Sequence, residues 1–154
     1  MDIYEYLKMD HKKVTKLFKL FESAPTERNQ LEIYKMIRNE LTIHAKSEEA
    51  TFYKALEKHA ESLPDTRHGE KEHVGIMNKL AEIDMHKQIS NTMKKLILEL
   101  KQLVEHHVSE EEGKLFKDAK KVLTDKEAYI LKLQMHDYKE KLLNGTLSPS
   151  TETV

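Results

Sequence analysis

Apolar residues recur along this chain at steps of three and four, with no β-branched run of the kind that makes a sheet, so the pattern predicts helices throughout. The first opens at a D-x-x-E capping pair, Asp2 and Glu5, and runs to about Ser23, where Pro25 ends it. Thr26 is placed to cap a second helix over roughly 27–60, which closes at Leu63-Pro64-Asp65. A third is expected from about Thr66 to Asp84, and a fourth from near Gln88 to about Val122, with Gly113 as a candidate kink. Thr124 and Glu127 form another capping pair and open a fifth helix that should stop near Gly145. Short connections between long helices favour an up-down-up-down antiparallel four-helix bundle, with the additional C-terminal helix across its outside or one end. The expected division is one all-α domain over 1–145 and a Ser/Thr-rich, disordered tail over 146–154.

Composition narrows the function. The chain has 154 residues, 26 basic and 27 acidic, with a formal net charge of −1 and no concentrated basic face, which argues against a nucleic-acid partner. The absence of cysteine removes disulfides, thiolate ligands and thiol catalysis. No window approaches the ~20 apolar residues of a membrane span, and the first residues do not read as a signal peptide, so a cytoplasmic location is expected.

The seams of the helices carry the chemistry. Along helix four the apolar stripe reads Met93, Ile97, Leu100, Val104, His107, Glu111, Leu115, in steps of 4, 3, 4, 3, 4 and 4. His107 and Glu111 thus stand where leucine or isoleucine is expected. Helix two repeats the theme with Ile37, Leu41, His44, Glu48, Phe52 and Ala55. His11 interrupts the stripe of helix one, between Leu7 and Val14, and His73 opens that of helix three ahead of Met77 and Leu80. The two longer segments share an H-x-x-x-E-E motif followed by an apolar or aromatic pair, and Asp10-His11 is echoed by Glu72-His73, which implies a pseudo-twofold arrangement of two hairpins. Carboxylates buried without partners cost several kcal/mol each, and no lysine or arginine interrupts these seams. Metal cations would supply the missing charge, and a nitrogen–oxygen donor set without sulfur suits iron, manganese or zinc.

The order His, H-x-x-x-E, His, H-x-x-x-E, with aromatic residues after both Glu-Glu pairs, resembles the hemerythrin family, and most of all its bacterial HHE cation-binding branch, over roughly residues 3–122. The resemblance implies two iron ions joined by an oxo or hydroxo bridge. The implied metal ligands are His11, His44, Glu48, His73, His107 and Glu111, with the two glutamates bridging. It further implies a small partner such as O2, peroxide or nitric oxide, and a binding protein more than a dedicated enzyme. Two departures stand out. The oxygen carriers of the family have a second helix-three histidine where this chain has Met77, and their helix-four step is H-x-x-x-x-D. Glu72 is a candidate replacement ligand, and His106 with Glu111 or His107 with Glu112 would fit the longer step. A di-iron enzyme acting on peroxide or ferrous iron, and a structural zinc or mononuclear site, are the alternatives. A monomer and a homodimer are both compatible with the sequence.

The remaining positions read more plainly. His59, His68 and His86 are expected near helix ends or loops, His136 on helix five away from the axis, and His106 at a helix border. The methionines are spaced as core filler. Phe52 and Phe116 should shield the cluster from water, Tyr53 should shield or pack, and Glu49 and Glu112 should be exposed or support the ligands.

Overall fold

The computed structural model describes residues 1–146, so the tail expected at 146–154 lies outside the described residues except for Thr146. All regular structure among the described residues is helical, in five rods. Helix α1 is Ile3–Ser23 and α2 is Glu27–Glu48, the latter continuing through a π-helical turn, Glu49–Tyr53, into a last α-turn, Lys54–Leu56. Helix α3 is Leu63–Asp84. Helix α4 is Asn91–Glu110, continued by a second π-helical turn, Glu111–Leu115, and by Phe116–Val122; α5 is Asp125–Leu143.

The ends follow from local chemistry. Asp2 with Glu5, and Thr124 with Glu127, make full capping boxes, each side chain satisfying a backbone N–H of the other residue. Thr26 and Ser90 accept from Asn29 and Met93 and start α2 and α4. Helix α3 begins at Leu63, three residues before the expected start. Pro64 stands inside its first turn, where a missing N–H leaves no helical bond unmade. Gly113, the candidate kink, lies within the second π-turn. Gly145, at φ +75°, lies beyond the end of α5 in the left-handed conformation that favours glycine.

Two apolar layers enclose a polar one. The first joins Phe18 and Phe21 of α1, Tyr34 of α2, Leu80 of α3, and Met93 and Leu100 of α4. The second joins Ile3 and Leu7 of α1, Phe52 and Leu56 of α2, Phe116 of α4, and Met135 of α5. Helix α5 therefore completes the second layer, packing on α1, α2 and the first π-turn. No helix among the described residues is long and apolar enough to cross a membrane.

Candidate metal centre

Between the two layers lie His11, His44, Glu48, His73, His107 and Glu111, all buried, with Glu48 at 0% exposure and Glu111 at 2%. Helices α1 and α3 each present one imidazole, and α2 and α4 each present an imidazole and, one turn on, a carboxylate. Both π-turns begin at or directly after that carboxylate, at Glu49 and at Glu111. A π-turn takes up one extra residue, so two consecutive four-residue steps, His44–Glu48–Phe52 and His107–Glu111–Leu115, stay on one face instead of drifting round the helix.

The six side chains fall into two overlapping groups. His11, His44, Glu48 and Glu111 form one and His73, His107, Glu48 and Glu111 the other, and within each group ligand-capable atoms all lie within 4.8 Å of one another. The two glutamates are common to both. Nε2 of His11 is 3.2 Å from Glu111 Oε1 and Nε2 of His73 is 3.1 Å from Glu48 Oε1. Nε2 of His107 is 3.3 Å from Glu111 Oε2, and Nε2 of His44 is 3.6 Å from Glu48 Oε1. Among the described residues none of the four Nε2 atoms has a hydrogen-bond partner, nor does either oxygen of Glu48 or Oε1 of Glu111. Seven buried polar atoms facing one small region without partners would be costly in a finished protein core, and they fit metal ions held between them.

The opposite nitrogen of every imidazole is satisfied. Nδ1 of His11 donates to Glu112 at 2.6 Å, His44 to Asp10 at 2.7 Å, His73 to Glu49 at 2.6 Å and His107 to Glu72 at 2.9 Å. Each bond runs between different helices, so the four form a closed ring around the cluster. A carboxylate on Nδ1 fixes the tautomer and turns the Nε2 lone pair inward, as at metal-ligating histidines. Glu72, a candidate ligand in the sequence, is thus displaced to this backing role. Asp10 stands out in the sequence only as an echo of Glu72. Helix α5 contributes as well, since Lys139 donates to Asp10 from behind.

The electrostatics express the same demand for positive charge. Burial lowers the proton affinity of His44, but the Glu48 charge and the hydrogen bond to Asp10 outweigh it and push the pKa up to about 10. His107 is likewise pushed up to about 10, against the effect of burial, by Glu111 and Glu72. Burial would raise Glu111, yet the imidazoles of His107 and His11 facing it hold it well below the usual carboxylate range. In the absence of a cation, protons on imidazole must supply the balancing charge.

Tyr53, expected from the sequence to shield or pack, is closer to the chemistry. Its hydroxyl donates to Glu111 Oε2, and its ring stacks on His73 with centroids 5.2 Å apart and an interplanar angle of 11°. Gly69 makes room for it, because a Cβ there would lie 2.5 Å from the Tyr53 hydroxyl and 2.9 Å from Cζ. Gly69→Ala should therefore displace the buried phenol from Glu111 and cost about 1–3 kcal/mol in urea unfolding. Tyr53→Phe in the same chain should recover part of that cost, and fully additive single effects would show that the two positions are not coupled. Phe52 and Phe116 lie buried beneath the cluster, in T-shaped contact at 6.1 Å. Met77 is only partly buried at the edge of the first layer. His106 and His68 are exposed, and His68 lies in the second turn of α3, near that helix's N-terminal end.

An all-helical protein with a buried cluster of imidazoles and carboxylates able to hold metal is the class that fold and site define. The model of the hemerythrin HHE cation binding domain matches residues 2–119, and the chain belongs to that family. A crystal structure of a hemerythrin HHE cation binding domain-containing protein from Mycobacterium kansasii superposes with a TM-score of 0.78 at 21% identity, covering 100% of this chain and 99% of the other. At that identity the likeness establishes the fold. No curated protein matches this sequence.

Proposed function

We propose that this chain is a non-haem di-iron protein that binds O2 or a related small oxidant, peroxide or nitric oxide, within one antiparallel four-helix domain closed by a fifth helix. The observation that carries the proposal is that two four-residue groups share Glu48 and Glu111, which suits two bridged ions better than one. His11 and His44 would hold one ion through Nε2 and His73 and His107 the other, with Glu48 and Glu111 offering carboxylate oxygens to both. Bound iron would supply one-electron redox chemistry and an open coordination position. The chain's own part is to fix the ligands through their Nδ1 partners, exclude water with the aromatic layer and hold a proton at Tyr53 Oη beside Glu111. A cavity of about 20 Å³ meets all four histidines beneath Val14, Ile76 and Val104, room for a molecule about the size of one water. Met77 at its edge is consistent with an open position on the α3 side.

A second reading, turnover of peroxide or oxidation of ferrous iron, draws support from a larger cavity of about 300 Å³ that reaches Tyr53, His107 and Glu111. Expression in iron-rich medium should give about two irons per chain and a near-ultraviolet charge-transfer band. Reduced protein mixed with O2 should change its spectrum reversibly if binding is the function, and should oxidise with turnover if catalysis is. One zinc per chain and no colour would sink both in favour of a structural site.

A further inference from the structure

A second set of imidazoles and carboxylates stands outside the interior cluster, on the same two helices that hold His73 and His107. His68 and Glu72 on α3 and His106 and Glu110 on α4 are each four residues apart, so the H-x-x-x-E step occurs on both helices facing outward. His68 Nε2 lies 2.7 Å from Glu110 Oε2 and 3.4 Å from Glu72 Oε2. His106 Nε2 lies 3.2 Å from Glu110 Oε1 and 3.4 Å from Glu72 Oε2. Ligand-capable atoms of His68, Glu72 and Glu110 all fall within 4.8 Å of one another. Among the described ion pairs these two carboxylates meet only imidazoles, never lysine or arginine.

Two further observations tie this set to the interior. The cavity of about 300 Å³ is lined by His68, Glu72 and Glu110 and also by Tyr53, His107 and Glu111. The two interior residues of that wall, His107 and Glu111, are also among those with an unpartnered buried atom, Nε2 and Oε1 respectively. Glu72 itself faces both ways, Oε1 holding His107 Nδ1 and Oε2 turned to His68 and His106.

We infer that His68, Glu72, His106 and Glu110 form an outer site that takes one divalent transition-metal ion and passes it through the cavity to the interior cluster. The entry role rests on the proposal that the interior holds cations; the outer site itself does not. Nitrogen and oxygen donors without sulfur suit a borderline divalent ion. The exposure of His68, His106 and Glu110 keeps water at the ion, which makes binding weak and exchangeable, as transfer requires.

The test uses the full metal-free chain and the double variant His106→Ala/Glu110→Gln, whose altered side chains are 65% and 42% exposed and form their described ion pairs with His68, Glu72 and each other. Zn2+ titration by calorimetry should show a weak class of one ion beyond the tight interior class in the natural chain. In the variant the weak class should bind ~10-fold or more less tightly, with the tight class unchanged. Co2+ uptake followed by stopped-flow absorbance should slow by about 5-fold in the variant, to the same final occupancy. A weak class that survives in the variant, or is missing from the natural chain, overturns the outer site. An unaltered uptake rate overturns the entry role. Zn2+ held only in the weak class, and lost in the variant, would strike down the interior proposal and the entry role while leaving the outer site standing.

Discussion

Replacing Glu48 with leucine should abolish tight metal binding and yet leave the metal-free protein at least as stable as the natural one. Glu48 is the deepest of the cluster's acids, 0% exposed, with neither oxygen hydrogen-bonded. It belongs to both ligand groups, so its loss removes a donor from each. Elemental analysis of the iron-loaded preparation should fall from about two ions per chain to a small fraction of one. In the metal-free state the same change removes a buried charge and fills its space with hydrocarbon, and because the imidazoles left behind can shed their protons, the cost of breaking a buried ion pair, about 3–5 kcal/mol, is avoided. Glu48 is the first of the groups that raise the proton affinity of His44 and His73, ahead of Asp10 and Glu49, so both imidazoles lose protons more readily when it goes. A chelator should lower the stability of the natural protein by about 2–4 kcal/mol, the linkage expected of a well-saturated site, and should leave the variant untouched. Two ions retained in the variant would remove Glu48 from the site. A metal-free variant weaker by several kcal/mol would make its role one of packing.

The second large effect is expected below the cluster. Phe52 is fully buried in the second apolar layer, edge-on to Tyr4 at 5.9 Å and to Phe116 at 6.1 Å. It also follows Glu48 across the first π-turn, so it sets the depth of the carboxylate. Phe52→Ala should cost about 3–5 kcal/mol in unfolding free energy, from lost burial and the cavity left behind. Water admitted through that floor would reach Glu48 and Tyr53, so iron should also leave faster, visible as a shortened half-life in a chelator-competition assay. Phe52→Leu, which keeps most of the hydrocarbon, should recover more than half of the stability. If alanine cost less than about 1 kcal/mol, the layer would not be packed as described.

Much of this is legible in the order of residues alone, and for a definite reason. A seam residue is identified by periodicity, and the six inward residues all occupy seam positions, each of them buried. Capping chemistry is equally local, which is why Asp2, Thr26 and Thr124 mark true helix starts. The π-turns leave a faint trace too: two four-residue steps in succession, at 44–48–52 and 107–111–115, would drift about 80° round an ordinary α-helix. What periodicity does not reveal depends on which helices meet. The Nδ1 partners of the histidines lie 24 to 101 residues away. Tyr53 finds Glu111 across 58 positions and Lys139 finds Asp10 across 129. Glu72 illustrates the limit, since one step off the seam is compatible with a ligand or with a residue behind one, and only the neighbouring helix decides.

The repeat in this chain hides an inequality. Behind His44, Asp10 is clamped by Lys139 of the fifth helix. Behind His107 the equivalent acid, Glu72, meets two solvent-washed imidazoles and an opening. A pair of ions seated at the centre would thus be a mismatched couple, one locked in by a bolt drawn from outside the duplicated hairpins and the other beside an unlatched door. Order of departure, and which of the two first gives up or accepts an electron, would be written into that difference rather than left to chance.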